Sequence, residues 1–146
     1  IMSVFSSMNI NATALTAERA RMDIISKNIA NSQTTRTKNG LPYKRQVAVF
    51  KEAEGDNSFK SIFESKRKKD TGGVEVVGVV EDKSEFKLRY DPGHPDADEN
   101  GYVKMPNVEL ITEMVDMITA QRAYEANATA VTTSKSMLQK AIDIGK

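Results

Sequence analysis

The chain has 146 residues, 39% hydrophobic and 6% aromatic with no Trp, which suits one domain of ordinary size but is lean for a compact core. Its 21 basic and 20 acidic residues leave a formal charge of +1, so no global field points toward nucleic acid, an anionic membrane or a polyanionic substrate. The absence of Cys removes disulfides, thiolate nucleophiles and thiolate zinc sites, and a single His narrows metal and acid–base chemistry further.

No segment approaches the roughly 18 consecutive apolar residues of a membrane span. The first basic residue is Arg19, and Asn9 and Asn11 interrupt the early apolar stretch, so a signal-peptide layout is missing. If the protein leaves the cytoplasm, the expectation is another export route.

From about Ser3 to Asn31, Val4, Met8, Asn11, Leu15, Glu18, Met22, Ile25 and Ile29 recur at alternating steps of four and three. That 3.5-residue period is a coiled-coil seam, on a helix of roughly 40 Å. Asn11 and Glu18 weaken the seam and can set its register. The polar run Ser32–Gly40 has no helical period and closes with the turn-forming pair Asn39-Gly40, which ends the first helix in a loop.

Tyr43, Arg45, Val47 and Val49 alternate with period two through Phe50, and Gly73–Glu81 and Glu85–Tyr90 are rich in Val, Phe and Tyr, which predicts a β-rich middle. Between them, Glu54–Thr71 carries Gly55-Asp-Asn-Ser58 and the basic run Lys66–Lys69, the composition of a mobile loop with a short helix at most. Asp91–Gly101 contains two Pro and two Gly and reads as a turn region.

After Pro106, Asn107 is positioned to cap a second helix. Beyond it Leu110, Met114, Met117, Gln121, Tyr124, Ala128, Val131, Lys135, Leu138 and Ile142 keep the four–three spacing for roughly 55 Å, with Gly145 as the stop. Ile111, Val115 and Ile118 add a second stripe, so the first half of this helix needs cover from more than one side.

The chemical motifs are weak. Asp96-Ala-Asp98-Glu-Asn100-Gly101 matches the opening of an EF-hand loop, but its twelfth position is Asn107 where a bidentate Glu is required, and Gly93 and Pro95 forbid the entering helix. His94 among Asp91, Asp96 and Asp98 lacks a nucleophile or second His, and reads as a turn residue. Lys66–Lys69 has no interleaved aromatics, so it reads as a solvated loop rather than a nucleic-acid footprint. Met114 and Met117 sit on the helical stripe as adaptable packing residues. Small residues Ala120, Ala123, Ala126 and Ala128 flank Arg122 and Tyr124 and allow close approach of another helix. No catalytic, cofactor or metal residue emerges.

Ala14-Leu-Thr-Ala-Glu-Arg, Met22-Asp-Ile-Ile and Asn28-Ile-Ala-Asn31 with Thr34-Thr35 resemble the first-helix signature of the rod, hook and filament family of the bacterial flagellum. Asn107-Val-Glu-Leu, Glu113-Met-Val-Asp-Met-Ile and Gln121-Arg-Ala-Tyr-Glu-Ala-Asn127 resemble its last-helix signature. Tyr90–Asp98 and Gly101–Asn107 narrow the resemblance to a proximal rod member.

The resemblance implies a structural subunit exported unfolded through the flagellar type III apparatus into the periplasm-spanning rod, where terminal helices form an inner tube and the middle an outer domain. Its partners would be other rod proteins and copies of itself, with no nucleic acid, membrane insertion or small-molecule substrate.

The expected fold is therefore α+β: an N-terminal helix within 1–35 and a C-terminal helix within 106–146 packed as a coiled-coil-like pair, and a small β-rich domain over 36–105 with a mobile loop at 52–72. The expected subunit interface comprises Leu15, Met22, Ile25, Asn28, Asn31, Leu110, Met114, Met117, Arg122, Tyr124, Asn127 and Leu138. Two other classes fit the same residues less fully, a cytoplasmic coiled-coil adaptor and a calcium-binding module.

Overall fold

The computed structural model describes residues 4–53 and 72–145. The expected mobile loop at 52–72 and the basic run Lys66–Lys69 therefore lie outside the described residues, apart from 52, 53 and 72. The fold is α+β: α1 (Val4–Ala30), β1 (Gln46–Glu52), β2 (Val74–Glu81), β3 (Lys87–Tyr90), β4 (Tyr102–Met105) and α2 (Leu110–Ile144). Two long terminal helices thus bracket two small two-stranded sheets, β1–β2 and β3–β4. Among the described residues no helix is long and apolar enough to cross a membrane.

The chain divides into two compact units, and both helices contribute to each. The described parts of the first are 4–20, 50–53, 72–77 and 121–145; the second is Arg21–Val49 with Gly78–Ala120.

In the first unit Val74 N donates to Thr13 Oγ1 (3.1 Å) and Ala53 N to Gly73 O (2.8 Å). The approach is close enough to demand glycine twice. A Cβ on Gly72 would stand 1.5 Å from the Ala53 carbonyl oxygen, and one on Gly73 would stand 1.9 Å from Thr13 Oγ1. Among the described residues of this unit Ala17 is the buried apolar one, and Glu18 Oε2 is enclosed without a hydrogen-bond partner.

The second unit has a fuller core of Ile25, Tyr43, Val103, Val108 and Ala120, with Pro106 also enclosed. Its part of α1 ends where Asn31 Nδ2 returns to the Lys27 carbonyl (2.9 Å) and Thr34 N bonds Asn31 O (3.0 Å), which turns the chain out of the helix. Tyr43 N then bonds Thr34 O (3.1 Å), closing the loop that follows. Asp82 N donates to Arg45 O (2.8 Å) beside the end of β2.

Strand β4 is absent from the sequence reading, which ended its turn region at Gly101 and assigned no strand to Tyr102–Met105. It pairs antiparallel with β3, Tyr90 opposite Tyr102 and Lys87 opposite Met105. The Tyr90 and Tyr102 rings meet edge to face with centroids 5.3 Å apart. Gly101 allows this hairpin, because it adopts φ +78° and a Cβ there would press on the Tyr90 ring and Pro92. A four-residue strand following a turn rich in Pro and Gly leaves too short an alternation to be read from sequence.

The expected cap is also corrected. Helix α2 begins at Leu110, its first turn closed by Glu113 N to Glu109 O (3.0 Å), so Asn107 lies outside it. The Asn107 side chain instead ties extended segments: its Oδ1 accepts Arg45 N (2.7 Å), and its Nδ2 donates to Ser84 Oγ (2.9 Å) and the Ser84 and Asp82 carbonyls. An Asn side chain serves a backbone edge as readily as a helix start, and only the tertiary neighbours decide which. Gly145 does follow the end of α2, its N–H returning to the Ile142 and Ala141 carbonyls.

Candidate functional site

Within the second unit, α1 and α2 are joined by a buried polar cluster. Asn28 is 1% exposed and uses its whole amide: Nδ2 donates to Glu113 Oε2 (3.0 Å) and Gln46 O (2.8 Å), while Oδ1 accepts Gln46 N and Tyr43 OH (2.9 Å each). Glu113 is 0% exposed, and its other oxygen accepts Arg45 Nε at 2.5 Å. The same guanidinium reaches Asp82 and Asp116, each at 3.5 Å. A buried carboxylate is tolerable only when paired and fully hydrogen-bonded, and here one cation and one amide provide that.

The electrostatics follow the geometry. Burial of Arg45 works to lower its pKa, but the hydrogen bond and charge of Glu113, then those of Asp82, outweigh it and the net shift is upward. Burial chiefly raises the Tyr43 phenol, with the charges of Glu113 and Glu81 adding to it. Asp82 is held below its ordinary value, first by the Ser84 backbone N–H and hydroxyl and then by Arg45. Both Glu113 oxygens are engaged within the cluster. Its chemistry is that of a clamp.

The acidic turn is equally committed. Asp98 Oδ1 accepts the amides of Asn100 (2.9 Å) and Tyr102 (2.8 Å), Asp96 accepts Thr35 Oγ1 (2.8 Å) and faces Arg36, and His94 Nδ1 accepts Asp96 N (3.0 Å). A cleft of about 370 Å³ beside it is lined by Thr35, Arg36, Pro42, Asp96, Asp98, Tyr102 and Lys104. No group of three or more His, Asp or Glu able to hold a metal ion occurs among the described residues.

The expected interface residues fall into distinct places. In the second unit Ile25 and Asn28 are buried against their own chain, and Met22, Asn31 and Met117 are half-buried. Leu110 and Met114 are exposed and join Ile111, Val115 and Ile118 in an outward ridge on α2, where Ile111 is 72% and Val115 57% exposed. In the first unit Leu15, Tyr124, Asn127 and Leu138 are half-buried and Arg122 is exposed, while Asn127 Nδ2 bonds the Ala123 carbonyl within its own helix.

The sequence reading missed the clamp formed by Tyr43, Arg45, Asn107 and Glu113. One signal for it was present: Arg45 alternates with Tyr43, Val47 and Val49 on an otherwise apolar face, where a cation requires a buried carboxylate.

Comparison with known proteins covers the same segments. Residues 8–38 match the family model "Flagella basal body rod protein", and 99–144 match "Flagellar basal body rod FlgEFG protein C-terminal". Over nearly the whole chain the protein is 49% identical to the flagellar basal-body rod protein FlgC of Borreliella burgdorferi (98% of each chain). The chain belongs to the FlgC family of flagellar basal-body rod proteins. It is also 47% identical to FlgC of Bacillus subtilis and 36% identical to that of Salmonella typhimurium, each over 99% of this chain and 100% of the relative. The matched segments contain Asn28 on one side and Asn107 and Glu113 on the other, whereas Tyr43, Arg45 and Asp82 lie between them.

Proposed function

We propose that this chain is a structural subunit of the proximal rod of the flagellar basal body, without catalytic activity, delivered by the flagellar type III export apparatus. It assembles through its terminal helices with copies of itself and other rod proteins into the axial drive shaft. The end-to-end similarity to FlgC rod proteins carries the reading. The exposed ridge Leu110, Ile111, Met114, Val115 and Ile118 supports it, because a contiguous apolar surface on a helix is a contact surface. Contacts between different faces of successive subunits do not close on themselves and propagate as an open helical array.

Deletion of the gene in the native organism, followed by imaging of basal bodies, tests the reading. Cells should lose the rod and motility, and restoring the gene should place the tagged protein in purified basal bodies. A protein that fractionates with the cytosol while rods assemble normally would identify an adaptor instead.

A further inference from the structure

The start of α2 has two unlike sides. Glu113 and Ala120 are enclosed and Asp116 and Met117 half-buried, at helical steps of three and four, while Ile111, Met114, Val115 and Ile118 point outward. Turning the helix by one residue, about 100°, would exchange part of one side for the other. Apolar packing opposes that exchange at Ala120, which is fully enclosed, but only weakly at Met117, because Met and the outward Ile and Val side chains can replace one another at modest cost.

The polar cluster discriminates strongly. Between Leu110 and Ala120 the acidic residues are Glu113 and Asp116, and both reach Arg45, while Glu113 also receives Asn28. Any other rotation breaks these bonds, leaving Arg45 only the longer contact with Asp82 and Asn28 Nδ2 only the Gln46 carbonyl, while the Glu113 carboxylate loses its cation.

We infer that Asn28, Arg45 and Glu113 are positioning residues for assembly, which fix the rotation of α2 and so select which apolar residues face the neighbouring subunit. The inference rests on the assembly reading above. Buried ion pairs replaced by apolar residues of similar size commonly keep or raise stability, and their best-attested use is to fix register.

The absence of cysteine makes a clean test available. Thr112→Cys and Lys38→Cys, both at exposed positions of the second unit, carry nitroxide labels for pulsed electron-spin distance measurement on the monomer. The labelled parent should give one narrow distribution. The combined variant Asn28→Leu, Arg45→Met, Glu113→Leu should keep or raise the thermal midpoint, yet give a broad or bimodal distribution and at least tenfold less incorporation into rods. Glu113→Gln, which retains an acceptor for Arg45, should lower the midpoint while the distribution stays narrow.

The proposal is overturned by a combined variant that stays narrow, that incorporates normally or that fails to fold, since the last would make the cluster a stabiliser. A broad distribution for Glu113→Gln also overturns it. Failure of the parent chain to enter rods would remove the assembly reading alone, because the distances are measured on monomers.

Discussion

In the second unit Ile25, Tyr43, Val103, Val108 and Ala120 are buried, and the buried polar residues Asn28, Asn107 and Glu113 all find partners within that unit. In the first, Ala17 is the buried apolar residue among those described, and Glu18 Oε2 is enclosed with no donor. One unit has its own core and satisfied polar groups. Among its described residues the other has little for its helix segments to bury against, and helices in proteins gain most of their stability from such burial. The difference teaches that the two ends of each helix are held differently, one by a core within its unit and the other, among the described residues, by little burial.

Amide exchange on a dilute monomer should separate the units most widely. Opening free energies near zero are expected for 4–20 and 121–144, against values approaching global unfolding for 21–30 and 113–120. Equal protection along both helices would erase the contrast.

Arg45→Met should be the most damaging single substitution, costing about 3–5 kcal/mol in denaturant unfolding because Glu113 stays buried without its cation. Gly72→Ala should cost about 1–3 kcal/mol, since its Cβ overlaps a backbone oxygen that cannot rotate away. Spectral loss confined to residues 50–53 and 72–77 would place that damage in the first unit.

Met114→Asp should change monomer stability by no more than about 0.5 kcal/mol, because the side chain is 52% exposed. The same variant should block rod incorporation by putting an unpaired charge in the contact. Normal incorporation would remove the α2 ridge from the interface.

The smallest effect is a pH dependence. Asp82 is held below its ordinary value in the fold, so its contribution is complete above about pH 4 and is lost as pH falls through the depressed value. The stability gap between the parent and Asp82→Asn should therefore be constant from about pH 5 upward and close as the pH falls below the ordinary aspartate range. Tyr43 has the opposite sign: its raised value keeps the Asn28 bond intact up to about pH 10, with stability lost as pH rises beyond that. A gap that widens in acid would contradict the Ser84 and Arg45 contacts as the cause.

Long elements with many repeats of one period were legible. Both terminal helices and the first three strands lie within a few residues of their expected bounds, because a period sustained over many residues is a local property of the chain. Strand β4 was not legible, since four residues after Gly101 hold too few alternations and its pairing with β3 is set by a turn held through Asp98. The candidate site was legible only as a set of stripe positions. Asn28 and Met114 belong to the same expected interface, yet one is enclosed by its own chain and the other is exposed.

The sequence by itself determined the helical ends, the β middle, the second apolar stripe on α2 and the flagellar resemblance, each written in residue spacing or contiguous motifs. The tertiary structure alone decided that Asn107 binds Arg45 rather than capping a helix, and that Asn28 and Glu113, 85 positions apart, share a hydrogen bond. It also decided which side of α2 is enclosed and which is left outward. These outcomes depend on desolvation and on acceptor geometry between distant segments, and no spacing along the chain encodes either.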